Sequence, residues 1–434
     1  LASRIVNRRK DGGCLAEVQC TGDTMINAYK SLASAGVAVW LDDLSRPRIL
    51  SGDLARMVDR GDIVGITTNP TIFSKSISAG SGYEDQLREL AVRGTAIGET
   101  LRLLTAWDVR AACDLLRPVF ERTNKRDGRV SIEVDPRISG DAERTAAEAR
   151  GLWWLVDRPN LFIKIPATKA ALTAITASIA DGISVNVTLI FSVERYREVL
   201  DAFMAGLEQR ATRQESLSGI ESVASFFVSR VDTEVDKRLA ALAESGGAGR
   251  KSEIAGLHGQ AAIANARLAY EVYEQAAASV RWQALAAKGA SLQRLLWAST
   301  GVKDKAFPTT RYVTELVAPD TVNTMPEATL KAVGDYGDAT PDMVRGKYRE
   351  ARAILQGLAR VGIDISAVAD ALEQQGIAAF VQSWDDLIGS VEEQLKKVGA
   401  EVTPAGAVTP PARGNAATSE PAAASPRQTA RQDG

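Results

Sequence analysis

Short apolar segments of strand length alternate with amphipathic helical stretches along most of this 434-residue chain, and that rhythm is the tightest constraint on its fold. Eight segments read as strands: 37–42, 63–67, 130–135, 161–165, 183–188, 223–231, 295–299 and 312–317. Helical patterns separate most of them, at 141–156, 169–180, 193–208 and in one long stretch from 231 to about 286. Strands joined through helices pair in parallel, because a parallel pair needs a crossover connection. Eight such units predict an α/β fold of the (β/α)8 TIM-barrel class. An open doubly wound sheet is the competitor, but no Gly-x-Gly-x-x-Gly follows the first strand. Further helices are expected after the last strand, at 343–362, 365–374 and 377–398.

The ends of the chain differ from this body. Residues 1–24 lack a sustained apolar period and are expected to be a poorly ordered extension, with Met25 the candidate true start of an amphipathic helix. From 401 to 434 the chain turns to Ala, Pro, Thr, Ser and Gly, a composition that buries too little apolar surface to offset its ordering entropy. The barrel with its extra helices is therefore expected over 25–400.

Composition narrows the function. Hydrophobic residues make up 45% and charged residues 24%, as in ordinary globular proteins. A formal net charge of −2 provides no broad basic field, so neither nucleic acid nor a membrane is an expected partner, whereas a small anion needs only a local basic site. Cys14, Cys20 and Cys113 form no disulfide framework and fit a reducing cytoplasm. No run reaches the roughly 18 apolar residues of a membrane span. The single histidine, His258, lies in a helical stretch, which leaves little basis for a Ser-His-Asp triad or a His-rich metal site. No metal-ligand spacing occurs, so chemistry without metal or cofactor is expected.

In a barrel of this class the active site gathers at the C-terminal ends of the strands. The fourth strand carries Lys164 inside Leu161-Phe162-Ile163-Lys164-Ile165-Pro166. Desolvation disfavours a charged amine there, and a neutral amine can attack a carbonyl to form a Schiff base. The alternative is a strand-end Lys whose head snorkels to water. The first strand runs into Asp42 and Asp43, either of which can cap the next helix or act as general acid and base. Thr67, Thr68 and Asn69 follow the second strand and suit either a turn or polyol hydroxyls. On the third, Ser131, Glu133 and Asp135 share a face by the period of two. Asn186 and Thr188 share one on the fifth, and Ser225 and Phe227 precede Arg230 on the sixth. After the seventh come Ser299 and Lys303, which with Arg230 can hold a phosphate. Each polar group alone has a cap or turn explanation; their recurrence at successive strand ends favours a site.

Taken in order, Trp40-Leu41-Asp42-Asp43-Leu44-Ser45-Arg46, Gly65-Ile66-Thr67-Thr68-Asn69-Pro70-Thr71, Ile132-Glu133-Val134-Asp135-Pro136-Arg137, Ile163-Lys164-Ile165-Pro166-Ala167-Thr168 and Asn186-Val187-Thr188-Leu189-Ile190-Phe191-Ser192 resemble the transaldolases, most closely the actinobacterial type. The resemblance implies a class I, Schiff-base enzyme of the non-oxidative pentose phosphate pathway. Such an enzyme moves a dihydroxyacetone unit from sedoheptulose 7-phosphate to glyceraldehyde 3-phosphate, giving erythrose 4-phosphate and fructose 6-phosphate. It implies Lys164 as nucleophile, Asp42 as proton shuttle, and Glu133 with Thr188 positioning a water. Thr67, Asn69, Asn186, Ser225 and Phe227 would contact the substrate, and Arg230 and Ser299 its phosphate. The family's second phosphate-binding arginine has no equivalent in Ser299-Thr300-Gly301-Val302-Lys303, where Lys303 stands as the candidate substitute. Two rivals remain: a fructose-6-phosphate aldolase-like enzyme releasing free dihydroxyacetone, and an inactive barrel used for binding. Those aldolases are shorter and carry Tyr where this chain has Phe227. The late helices can cover the barrel or form an oligomer interface.

Overall fold

The computed structural model describes residues 28–244, 248–336 and 341–402. The expected extension over 1–24, with Cys14 and Cys20, and the start at Met25 lie outside the described residues, as does the expected tail beyond Val402. Eight strands, β1 (Val37–Leu41), β2 (Gly65–Ile66), β3 (Arg129–Glu133), β4 (Leu161–Pro166), β5 (Val185–Ile190), β6 (Ser222–Phe227), β7 (Arg294–Ala298) and β8 (Thr321–Met325), close in sequence order into one barrel. Every neighbouring pair is parallel, including β8 with β1. Helices occupy the connections, as the (β/α)8 reading predicts.

Four expectations need correction. The segment 312–317 is not the eighth strand: Tyr312 lies in the short helix Arg311–Thr314, and its hydroxyl donates to Asp232 Oδ2 at 2.7 Å outside the barrel. The real β8, Thr-Val-Asn-Thr-Met, is too polar for a search by apolar runs, because Thr324 faces the interior and Asn323 donates to the Tyr312 carbonyl at 3.0 Å. The long stretch 231–286 is four helices, Ser229–Glu244, Ala248–Leu257, Ala261–Ala277 and Val280–Ala286. Gly259 at φ +65° and Ser279, whose side chain accepts from Trp282 N, mark two of the breaks. The first of these helices begins two residues after β6 ends, so the strand expected to reach 231 stops at Phe227. Conversely, 365–374 and 377–398 are one 38-residue helix, Ile365–Val402. Gly376 does not interrupt it; a Cβ there would come within 3.1 Å of Leu189, so this glycine serves close packing.

Strand alternation sorts the side chains. Contacts between strands that are not neighbours must cross the interior, and they identify the inward set. Trp40 of β1 stacks on Phe162 of β4 with ring centroids 6.0 Å apart. The β2 residue paired with Trp40 is Gly65, where a Cβ would lie 2.5 Å from the indole. A large residue opposite a missing side chain thus fills the middle of the barrel at native density. Below it Arg129, fully buried, lies over the Phe162 ring at 5.0 Å and donates to the carbonyls of Lys125 and Pro159. Burial lowers its pKa to about 10. Inward positions above Trp40 and Phe162, at the C-terminal ends, are polar.

The turn after β1 is anchored from outside. Arg46, 3% exposed, pairs with the fully buried Asp108 at 2.7 Å and donates to the Leu104 carbonyl at 3.1 Å. Tyr83 donates to the other Asp108 oxygen at 2.7 Å, and the guanidinium lies between the rings of Tyr83 and Trp107 at 4.1 and 4.2 Å. Replacing one partner strands the other charge in a low-dielectric setting. Asp108→Ala is expected to destabilise the protein by about 3–5 kcal/mol, read as a lowered denaturation midpoint; a midpoint equal to wild type would show that Arg46 is not held by this pair.

Candidate active site

A cavity of about 320 Å³ opens at the C-terminal mouth of the barrel. Its wall includes Asp42, Thr67, Asn69, Lys164, Thr188, Ser225, Phe227, Arg230 and Ser299, which brings nine of the twelve candidate residues to one place. Two more, Glu133 and Asn186, stand just behind that wall.

Lys164 is 5% exposed, and its Nζ lies 2.7 Å from Glu133 Oε1 while donating to the Thr68 carbonyl at 2.9 Å. These partners come from β3 and from the exit of β2, so the amine points across the interior and does not snorkel to water. Register pairing of Glu133 with Lys164 on adjacent strands places the two side chains together on the inner face. Burial pushes the Glu133 carboxyl up, and the charge of Lys164 pulls it partly back. Glu133 Oε2 and Thr188 Oγ1 are both buried and have no hydrogen-bond partner among the described residues. Thr188 sits where the β5–β6 register shifts, next to Leu189 in the left-handed region at φ 61°. Such a bulge re-aims neighbouring side chains.

The two aspartates after β1 part ways. Asp42 turns inward, and its Oδ1 accepts from Thr67 Oγ1 at 2.8 Å. Burial pushes its carboxyl up; the Lys164 charge and the Thr67 bond pull it back. Asp43 turns outward and pairs with Arg48 at 3.1 Å. Asp135 lies beyond β3, where it caps the short helix Pro136–Ile138 and pairs with Arg137 at 2.6 Å, so it does not share the inner face with Ser131 and Glu133. Asn69 caps the helix Pro70–Ala79 by accepting from Ile72 N at 3.0 Å, and still borders the cavity. Asn186 links Ser131 (3.1 Å) to Ser225 (2.7 Å), which fixes the Ser225 hydroxyl at the wall.

On the side of β6 and β7, Arg230 stands over the Phe227 ring at 5.4 Å, and burial lowers its pKa. No ion pair engages it among the described residues, so its charge is available to an anion. Ser299 has φ 58°, and its hydroxyl pairs with that of Ser229 at 2.9 Å. Strained backbone of this kind concentrates at functional sites. Lys303 stands apart: it is exposed and does not border the cavity.

The cavity also holds residues that strand-end reasoning missed. Thr324 of β8 lies 2.6 Å from Thr67 and went unseen with its strand. Lys75 follows Thr71 by one helical turn, a spacing that marks both for the same face. Ala379, Phe380 and Ser383 come from the last helix, more than 200 residues beyond Lys164, and carry no local signal. Chemically, the arrangement joins a buried amine, two carboxylates with raised pKa, a ring of hydroxyl and amide groups and a guanidinium that no ion pair engages among the described residues. It can form a Schiff base with a polyhydroxylated carbonyl compound and hold an anionic group at its far end.

The family model described as Transaldolase/Fructose-6-phosphate aldolase matches residues 39–391. The chain is 59% identical to the transaldolase of Thermobifida fusca (strain YX) over 371 residues, covering 86% of this chain and 99% of that protein. It is 56% identical to transaldolase 2 of Streptomyces coelicolor (86% and 99% covered) and 55% identical to the transaldolase of Frankia alni (87% and 100% covered). A buried lysine paired with a carboxylate at the mouth of a parallel eight-stranded barrel, together with matches of this extent, places the chain in the transaldolase/fructose-6-phosphate aldolase family.

Proposed function

We propose that this protein is a transaldolase that carries a dihydroxyacetone unit as a Schiff base on Lys164, passing it from sedoheptulose 7-phosphate to glyceraldehyde 3-phosphate. The observation that carries the reading is the 2.7 Å contact of Lys164 with Glu133 inside the cavity, since the ammonium must lose a proton before it can attack and a base stands beside it. The catalytic unit in this reading is one barrel domain, from about residue 25 through the last helix. Its location is cytoplasmic, which suits the buried free thiol of Cys113.

The deprotonated Nζ attacks the ketose C2. The resulting carbinolamine loses its hydroxyl as water, with the proton delivered through a water held between Glu133 and Thr188, whose free oxygens support that role. The iminium is an electron sink. Asp42 takes the proton of the C4 hydroxyl, the C3–C4 bond breaks, its electron pair moves into an enamine, and the aldose phosphate leaves. The acceptor aldehyde then takes the enamine carbon, and Asp42 returns the proton to the new alkoxide. Hydrolysis of the second iminium frees the product and the amine. Thr67, Asn69, Asn186 and Ser225 orient the hydroxyls, and Phe227 closes an apolar wall. Arg230 and Ser299 take the phosphate, with Lys303 as a further candidate. A guanidinium without a carboxylate partner among the described residues supports the first of these assignments.

Lys164→Ala is expected to abolish turnover with the fold retained by circular dichroism, and borohydride with fructose 6-phosphate is expected to inactivate only the wild type. Turnover in the variant, or a wild type that survives that treatment, would overturn the Schiff-base reading. Asp42 and Glu133 accept protons only when ionised, and burial raises both, so kcat/KM should fall with acid through an apparent pKa above the usual carboxylate value of about 4. An acid limb at or below that value would remove the buried carboxylates from the rate. Arg230→Ala should lower kcat/KM for fructose 6-phosphate by about 10- to 100-fold through loss of charge-assisted bonds. Lys303→Ala should do less, because that ammonium is exposed; steady-state kinetics on the two variants decides the ranking.

A further inference from the structure

The helix Ile365–Val402 crosses the mouth of the barrel and sets one aromatic ring against the reacting nitrogen. Phe380 is 8% exposed, and its ring centroid lies 5.7 Å from Lys164 Nζ. The ring is held in place from both directions along its helix. On one side Gly376 packs on Leu189, and Glu373 pairs with Arg195 at 3.2 Å. On the other, Ser383 meets Thr71 at 2.9 Å, Ser390 meets Ser78 at 2.8 Å, and Gln394 donates to the Ser78 carbonyl at 3.1 Å. Phe380 therefore faces Lys164 from the side opposite the barrel interior.

Once the C3–C4 bond has broken, the three-carbon unit remains on Lys164 as an enamine and has two fates. In transfer, its nucleophilic carbon adds to the acceptor aldehyde. In release, that carbon takes a proton, water adds to C2 of the resulting iminium, the C2–N bond breaks, and one water is consumed as free dihydroxyacetone and the amine form. An apolar ring packed near the nitrogen keeps water, the proton source for the enamine carbon, from that side. We propose that Phe380 is a specificity-determining residue that biases the enamine toward transfer by keeping water from protonating its nucleophilic carbon. The inference rests on the Schiff-base reading of Lys164.

The test measures both fates in the full chain: free dihydroxyacetone formed from fructose 6-phosphate with no aldehyde added, and sedoheptulose 7-phosphate formed when erythrose 4-phosphate is added as acceptor. In Phe380→Ala the release-to-transfer ratio is expected to rise on the order of tenfold, as water reaches the enamine. Phe380→Leu, which keeps a smaller apolar cover, should fall between the alanine variant and wild type. Because the ratio compares two fates of one intermediate, a reduced yield of folded protein lowers both rates and leaves it unchanged. An unchanged ratio in both variants overturns the proposal for Phe380. A wild type that borohydride and fructose 6-phosphate fail to inactivate overturns instead the reading on which it rests, so the two failures are distinguishable.

Discussion

An ammonium and a carboxylate facing each other inside a barrel are expensive to bury, and the Lys164–Glu133 pair sets the terms for everything around it. Each ion gives up its water, and their mutual attraction offsets that loss only when the geometry is good and further hydrogen bonds help. The Thr68 carbonyl supplies one such bond to the lysine. The second Glu133 oxygen has no hydrogen-bond partner among the described residues, and a site that leaves a buried acceptor open is tuned for chemistry more than for stability. Truncating either partner would leave an uncompensated buried charge, which ties the integrity of the upper barrel to the residues of the reaction.

The parity of parallel strands makes this arrangement possible. Asp42, Thr67, Glu133, Lys164, Thr188, Ser225 and Thr324 stand within two residues of the C-terminal ends of seven different strands, at positions whose side chains turn inward. One polar layer results, supported from below by Trp40 stacked on Phe162. The space for the indole comes from the absent side chain of Gly65. Packing in the middle of the barrel and chemistry at its mouth are thus successive layers of a single alternation, and a shift of one residue in any strand would exchange a site residue for an outward apolar one.

The last helix completes what the strands begin. Its serines meet Thr71 and Ser78 of Pro70–Ala79, and its Gly376 packs on the bulged Leu189, so the element that covers Lys164 also touches the segments that present Asn69 and Thr188. Covering a cavity with a helix excludes water on one side while leaving polar groups on the other. This division of labour suits an intermediate that must wait for its second substrate.

Most of the barrel and much of its candidate site can be read from the chain alone. Seven of the eight strands, the shared faces of Ser131 with Glu133 and of Asn186 with Thr188, and a lysine flanked by apolar residues follow from local patterns, because burial against fixed strand geometry imposes a period of two. Local pattern failed where packing replaced hydrophobicity as the cause of structure: β8 is polar because it borders the cavity, and Gly376 reads as a break although it serves a close contact. Which of two adjacent aspartates turns inward, whether Lys75 or Lys303 borders the cavity, and that Phe380 covers Lys164 were decided only by the tertiary structure. The sequence determined the alternation and the types of groups at the strand ends; the closed barrel and the helix laid across it decided which groups meet, because those contacts join residues far apart in the chain and leave no local period to read.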